Sequence, residues 1–231
     1  MKYSDLTKKN DLPDGVVSNK VVPGRQFPPV ESLKKLSASF FDAPGFNNGA
    51  PELKITIAFI GLSQIEKRYK EAAAIISEII GLANSALVGT EGYQCQNNML
   101  AFPNITEAAK FGLGFLELLK QQQPLEDGMD VASLVTFGCV HDTFVTLEPH
   151  KTTGRADYFG KVVNRAARVA YSSSLGSVSV GVVITPGFDQ EAFTIEDPSI
   201  TFKFVGNRKL KGVEGEMAVY ECTRQSQTPP Q

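Results

Sequence analysis

Residues 154–170 read GRADYFGKVVNRAARVA. The stretch opens on glycine and charge, passes an aromatic and a second glycine, and then sets Asn164 and Arg168 four apart in a run rich in Ala and Val. On a 3.6-residue wheel Val163, Ala166, Ala167 and Ala170 share one face, the small apolar face of a helix that packs on a sheet. Asn164 and Arg168 project together from the flank of that face, while Arg165 points elsewhere. An amide and a guanidinium at the rim of a packed surface can converge on one ligand group such as a phosphate. Such a pair serves equally as a solvated edge or as an intramolecular ion-pair partner.

Outward from this helix the pattern is orderly. LKITIAFIG (53–61) is β-branched and apolar, as a buried strand requires, and leads into IEKRYKEAAAIISEIIGLA (65–83), where Ile75, Ile76, Ile79 and Ile80 mark a helix face. ALVGTEGYQCQ (86–96) and NNMLAFP (97–103) are two short extended runs close enough to pair as a hairpin. ITEAAKFGLGFLELLKQQQ (105–123) is a second helix with a Phe111, Phe115, Leu118, Leu119 stripe, and VASLVTFGCVHDTFVTLEP (131–149) is long and strand-like. The order β-α-β-β-α-β predicts an α+β, ferredoxin-like core: an antiparallel sheet with helices on one face. SVSVGVVIT, TFKFV and MAVYECT add strands after the opening helix.

Composition bounds the rest. The 231 residues suffice for one domain with extra segments, and 42% hydrophobic against 21% charged residues is a globular balance. A net charge of −2 gives no pull toward nucleic acid or a membrane surface. Cys95, Cys139 and Cys222 follow no metal-ligand spacing and read as reduced thiols of an intracellular protein. The longest apolar window, around Glu78, falls short of a membrane span.

Residues 1–51 form a Pro/Gly-rich arm rather than a domain, since Pro13, Pro23, Pro28, Pro29, Pro44 and Pro51 interrupt backbone ladders repeatedly. Within the arm Val30, Leu33, Leu36, Phe40 and Phe41 are spaced as one helical face that needs a cover, either its own core or another subunit. The domain proper is expected over 52–224, with a polar tail at 225–231.

PHKTTGRADYFGKVVNRAARVA (149–170) closely resembles a segment of class III nucleotidyl cyclases, where an Asp/Cys position, a Phe/Trp-Gly and a Val-Asn-x-x-x-Arg helix follow in this order. The resemblance extends over 53–223, with ITIAFIGLS, MLAF, FGCVH and LKGVEGEMAVYE at the family's successive landmarks. It implies a dimer whose active site takes metal aspartates from one subunit and the Asn/Arg pair from the other. Asn164 and Arg168 match the transition-state pair, and Asp157 matches the position of an adenine-reading carboxylate. The partner base-reading position maps near Gln96. A family lysine that meets polyphosphate falls near Val213 and is absent, with Lys209 and Lys211 close by. His141 reads as structural, and the His150, Lys151, Arg155 loop as solvated or as a phosphate contact.

Both metal positions are degenerate under the same resemblance. The first falls on Gly61 and the second, counted back from Met99, on Gln96, in a hairpin shorter than the family's usual form. No Asp occurs between Asp42 and Asp127. Mg²⁺ and Mn²⁺ favour carboxylate oxygens, so this chain alone is expected to bind neither catalytic metal. The expectation is therefore a pseudo-cyclase, a non-catalytic structural or interaction subunit that meets a cyclase-like chain or a larger assembly through its dimer face and residues 1–51. The first alternative is the non-metal half of a heterodimeric cyclase that converts ATP to cAMP and pyrophosphate. The second is a nucleotide-binding regulator.

Overall fold

A computed structural model of the chain describes residues 43–44, 54–144, 146–190, 193 and 197–225. The amphipathic stretch from Val30 to Phe41 and the end of the tail lie outside the described residues.

β1 (Lys54–Gly61) is the apolar run expected for a strand covered on both faces, and it lies inside a seven-stranded sheet of order β2-β3-β1-β4-β7-β9-β8. The partners are β2 (Tyr93–Gln96), β3 (Met99–Phe102), β4 (Thr136–Thr143), β7 (Val178–Val183), β8 (Ile200–Arg208) and β9 (Met217–Arg224). Every neighbouring pair is antiparallel except β4 with β7. β5 (Thr146–Pro149) and β6 (Ala156–Phe159) form a separate antiparallel hairpin.

The single helix expected over 65–83 is two, α1 (Ser63–Arg68) and α2 (Ala72–Leu87). Tyr69 is extended between them, and its hydroxyl is held by Asp127 at 2.7 Å. α3 (Ile105–Lys120) starts where Asn104 accepts from the Glu107 backbone N–H at 2.9 Å. The run 131–149 is also divided: a 3₁₀ turn at Val131–Leu134, capped by Asp130, precedes β4, and β5 begins at Thr146.

α2 and α3 cover one face of the sheet, over Ala58, Ile60, Phe137, Cys139, Val178 and Val180. The antiparallel βαββαβ core with both its helices on one face is thus present. α4 (Lys161–Ser172), which follows that unit, covers the opposite face together with the β5–β6 hairpin, over Ile55, Ile57 and Val140. Tyr158 is fully buried there against Phe144, edge to face at 5.2 Å. Ala43 is buried in this second core as well, and the Tyr158 hydroxyl donates to the Pro44 carbonyl. The chain ahead of β1 therefore contributes to the core.

Small residues set the height of α4. A Cβ at Gly138 would stand 2.3 Å from the Ala170 nitrogen, and one at Gly181 would stand 2.5 Å from Val169 Cγ2. Glycine on the strands lets helix backbone approach sheet backbone.

Candidate functional site

α4 buries Val162, Ala166, Val169 and Ala170. Its packed face is therefore rotated from the expected one, since Val163 and Ala167 are only half-buried. The rotation follows the larger side chains, because Val162 and Val169 remove more apolar area from water than alanine does. Asn164 and Arg168 stay exposed, as their position on the flank implied. Their environments differ. Asn164 Nδ2 donates to the Gly212 carbonyl at 2.8 Å, and Lys161 pairs with Glu214 at 2.8 Å, so the β8–β9 loop is fastened along the helix. Arg168 makes no hydrogen bond or ion pair with any described residue. Arg165 pairs with Asp142 at the end of β4, and both side chains are largely covered.

Asp157 and Gln96 are brought together. The Gln96 side chain at the end of β2 lies near enough to the Asp157 carboxylate on β6 to favour its charged form. Partial burial raises the Asp157 carboxyl above its ordinary value, and the neighbouring Gln96 amide and the charge of His150 oppose that rise. Arg155 is committed elsewhere: its Nε donates to the Gln94 carbonyl at 2.7 Å, and its guanidinium lies 4.9 Å over the Tyr93 ring. It pins the hairpin to the edge of β2. Within the same loop the His150 ring is also held, its Nδ1 lying 3.2 Å from Thr153 Oγ1 and accepting the Thr153 N–H at 3.4 Å.

The end of β1 is the decisive corner. Gly61 lies opposite Thr136 of β4, whose buried hydroxyl donates to the Ala170 carbonyl of α4 at 2.7 Å. A Cβ at Gly61 would stand 2.1 Å from that hydroxyl oxygen. The residue that the hairpin sets beside this corner is Asn98, not Gln96. Ile60 N–H donates to the Asn98 carbonyl at 2.9 Å, and Asn98 Nδ2 donates back to the Ile60 carbonyl at 3.0 Å and to the Tyr171 hydroxyl at 3.2 Å. Asn97 and Asn98 form the turn itself, and β2 carries a register shift between Gln94 and Gln96.

Mg²⁺ or Mn²⁺ would need carboxylate oxygens here. Gly61, Gln96 and Asn98 supply none, and among the described residues no group of three or more His, Cys, Asp or Glu side chains is placed to hold a metal ion. The residues do not fit such an ion.

His141 Nδ1 lies 2.9 Å from the buried Thr56 hydroxyl across the β1–β4 pair, and burial lowers its pKa, so it is a core histidine. The three cysteines are free and buried, and desolvation pushes the Cys139 thiol up to about 12. No helix among the described residues is long and apolar enough to cross a membrane.

This arrangement is the fold of class III adenylyl and guanylyl cyclase catalytic domains. Adenylate cyclases from Trypanosoma brucei in their monomeric state superpose with TM-score 0.56 at 14% identity, over 73% of this chain and 89% of theirs. The guanylate cyclase domain of RhGC from Catenaria anguillulae in complex with GTP gives 0.56 at 15% identity, over 74% of this chain and 97% of its own. The adenylyl cyclase CyaB from P. aeruginosa gives 0.52 at 14%, over 75% and 95%. By sequence the chain matches no family model and no curated protein. At these identities the likeness establishes the fold.

Proposed function

We propose that this chain is a cyclase-fold protein without cyclase chemistry of its own, retained as a structural or interaction subunit of a larger assembly. The observation that carries this reading is the corner at Gly61, where a threonine hydroxyl lies within 2.1 Å of the point where any side chain would begin. Attack of a ribose 3′-oxygen on an α-phosphate needs cations that acidify the hydroxyl and neutralise the polyphosphate. The amides of Gln96 and Asn98 bring no charge to that task. The contacts proposed for assembly are the exposed flank of α4 with its fastened loop and the part of residues 1–51 that precedes Ala43.

Purification of the native protein under gentle conditions, followed by mass spectrometry of whatever accompanies it in fixed ratio, tests the reading. Recovery in an assembly without a cyclase-like chain that carries both metal aspartates supports it. Stoichiometric recovery with such a chain contradicts it.

A second reading draws support from Arg168, which is exposed and free of partners among the described residues, and from the Asp157–Gln96 pair. The chain would then supply Asn164, Arg168 and Asp157 to a metal-bearing partner that converts ATP to cAMP and pyrophosphate. Weighing against it, Asn164 already spends its amide on Gly212. In the reconstituted pair Arg168→Ala would abolish turnover without loss of pairing; unchanged turnover refutes this second reading.

A further inference from the structure

We propose that the corner at Gly61 is a structural joint between β1, the β2–β3 hairpin and the end of α4, so that returning carboxylates to it does not return a metal site. The inference rests on the non-catalytic reading above and extends it to a mechanism that makes the loss hard to reverse. Three hydrogen-bonded links meet there. Thr136 Oγ1 donates to the Ala170 carbonyl at 2.7 Å, Asn98 Nδ2 to the Ile60 carbonyl at 3.0 Å, and the same amide to the Tyr171 hydroxyl at 3.2 Å. Arg208 adds a fourth by donating to the Ser172 carbonyl.

The helix end explains the demand. The last carbonyls of a helix have no partner within it, and α4 has no basic residue in its last turn to meet them. Ser172 and Ser173 hydroxyls bond the Val169 carbonyl, at 3.1 and 2.6 Å, while Thr136 serves Ala170 and Arg208 serves Ser172. Thr136 is thus a cap supplied by the sheet, and its hydroxyl lies in the space that a Gly61 side chain would enter. Rotating the threonine away would make room only by giving up its bond to the Ala170 carbonyl, which would keep just the longer one from the Ser173 N–H at 3.3 Å. Gly61 and Thr136 are therefore coupled, the absence of a side chain at one permitting the cap at the other.

A double-mutant cycle tests the coupling, with Gly61→Ala measured alone and in a Thr136→Ala background. Alone, the substitution is expected to lower the melting temperature by roughly 4–8 °C, and in the Thr136→Ala background by less than about half of that. Equal falls in the two backgrounds overturn the joint. The second measurement is Mn²⁺ binding by electron paramagnetic resonance to Gly61→Asp/Asn98→Asp with Thr136 in place. No uptake above the unsubstituted protein is expected; stoichiometric uptake overturns the inference. Neither overturning result touches the non-catalytic reading of the native chain, which fails only if that chain itself proves catalytic.

Discussion

Gly138→Ala is the perturbation whose cost can be worked most directly from the packing of α4 on the sheet. The added methyl would lie 2.3 Å from Ala170 N, 2.4 Å from its Cα and 2.9 Å from its Cβ, where ordinary contact begins at 3.4 Å. Two of those three atoms are helix backbone, so no rotamer change relieves the overlap, and α4 must lift by about an ångström. Lifting it loosens Val162, Ala166 and Val169, all fully buried. Overpacking of a filled core costs about 1–3 kcal/mol, and backbone contact places this case toward ~3 kcal/mol. For a domain of this size that corresponds to a fall of roughly 6–12 °C in melting temperature. Thermal unfolding followed by circular dichroism, with urea titration for the midpoint, measures it. Gly81→Ala is the control, because a Cβ there meets nothing within 4 Å in the middle of α2, and it is expected to stabilise by about 1 kcal/mol. A Gly138→Ala protein that melts within about 1 °C of the native one refutes the close approach of α4 to β4.

Tyr158→Phe removes the hydroxyl that holds the Pro44 carbonyl while keeping the ring against Phe144; a loss of about 1–2 kcal/mol is expected, with faster proteolysis ahead of β1. Arg165→Ala strands the partly buried Asp142 carboxylate and is expected to cost about 1–3 kcal/mol in urea unfolding, more than Lys161→Ala, whose exposed pair with Glu214 is worth less than about 1 kcal/mol. The Asp197 carboxyl is lowered to about 2, first by the Lys110 hydrogen bond and then by Ser199. Its folded value lies below its unfolded one, so the stabilisation is present above about pH 4 and is lost as pH falls toward about 2. Melting curves of the native protein and Asp197→Asn are expected to differ near neutrality and converge at the acid end; a constant gap contradicts the assignment.

The strand and helix order was legible because β1 is buried on both faces and α3 carries a clear apolar stripe, patterns that period and length alone declare. The breaks were less visible. Nothing in EKRYKE signals that Tyr69 turns out to reach Asp127, a contact 58 residues distant. Asn164, Arg168, Asp157 and Gln96 were all singled out from the sequence, yet the Gly212 carbonyl that Asn164 meets was not, since the β8–β9 loop reaches α4 only once the sheet has formed. The turn at Asn97 and Asn98 was legible in the Asn-Asn pair between two extended runs, but the Asn98 bond to the Ile60 carbonyl was not. Thr136 carried no signal at all, because its role depends on Ala170 34 residues later and on the missing side chain of Gly61.

The central claim is that this chain, alone, has no cyclase chemistry. Its most direct test is incubation of the purified full chain with ATP and with GTP in the presence of Mg²⁺ or Mn²⁺, with cyclic nucleotide quantified by mass spectrometry. The account predicts no cAMP or cGMP above the protein-free control with either metal; sustained, protein-dependent accumulation of either product contradicts it.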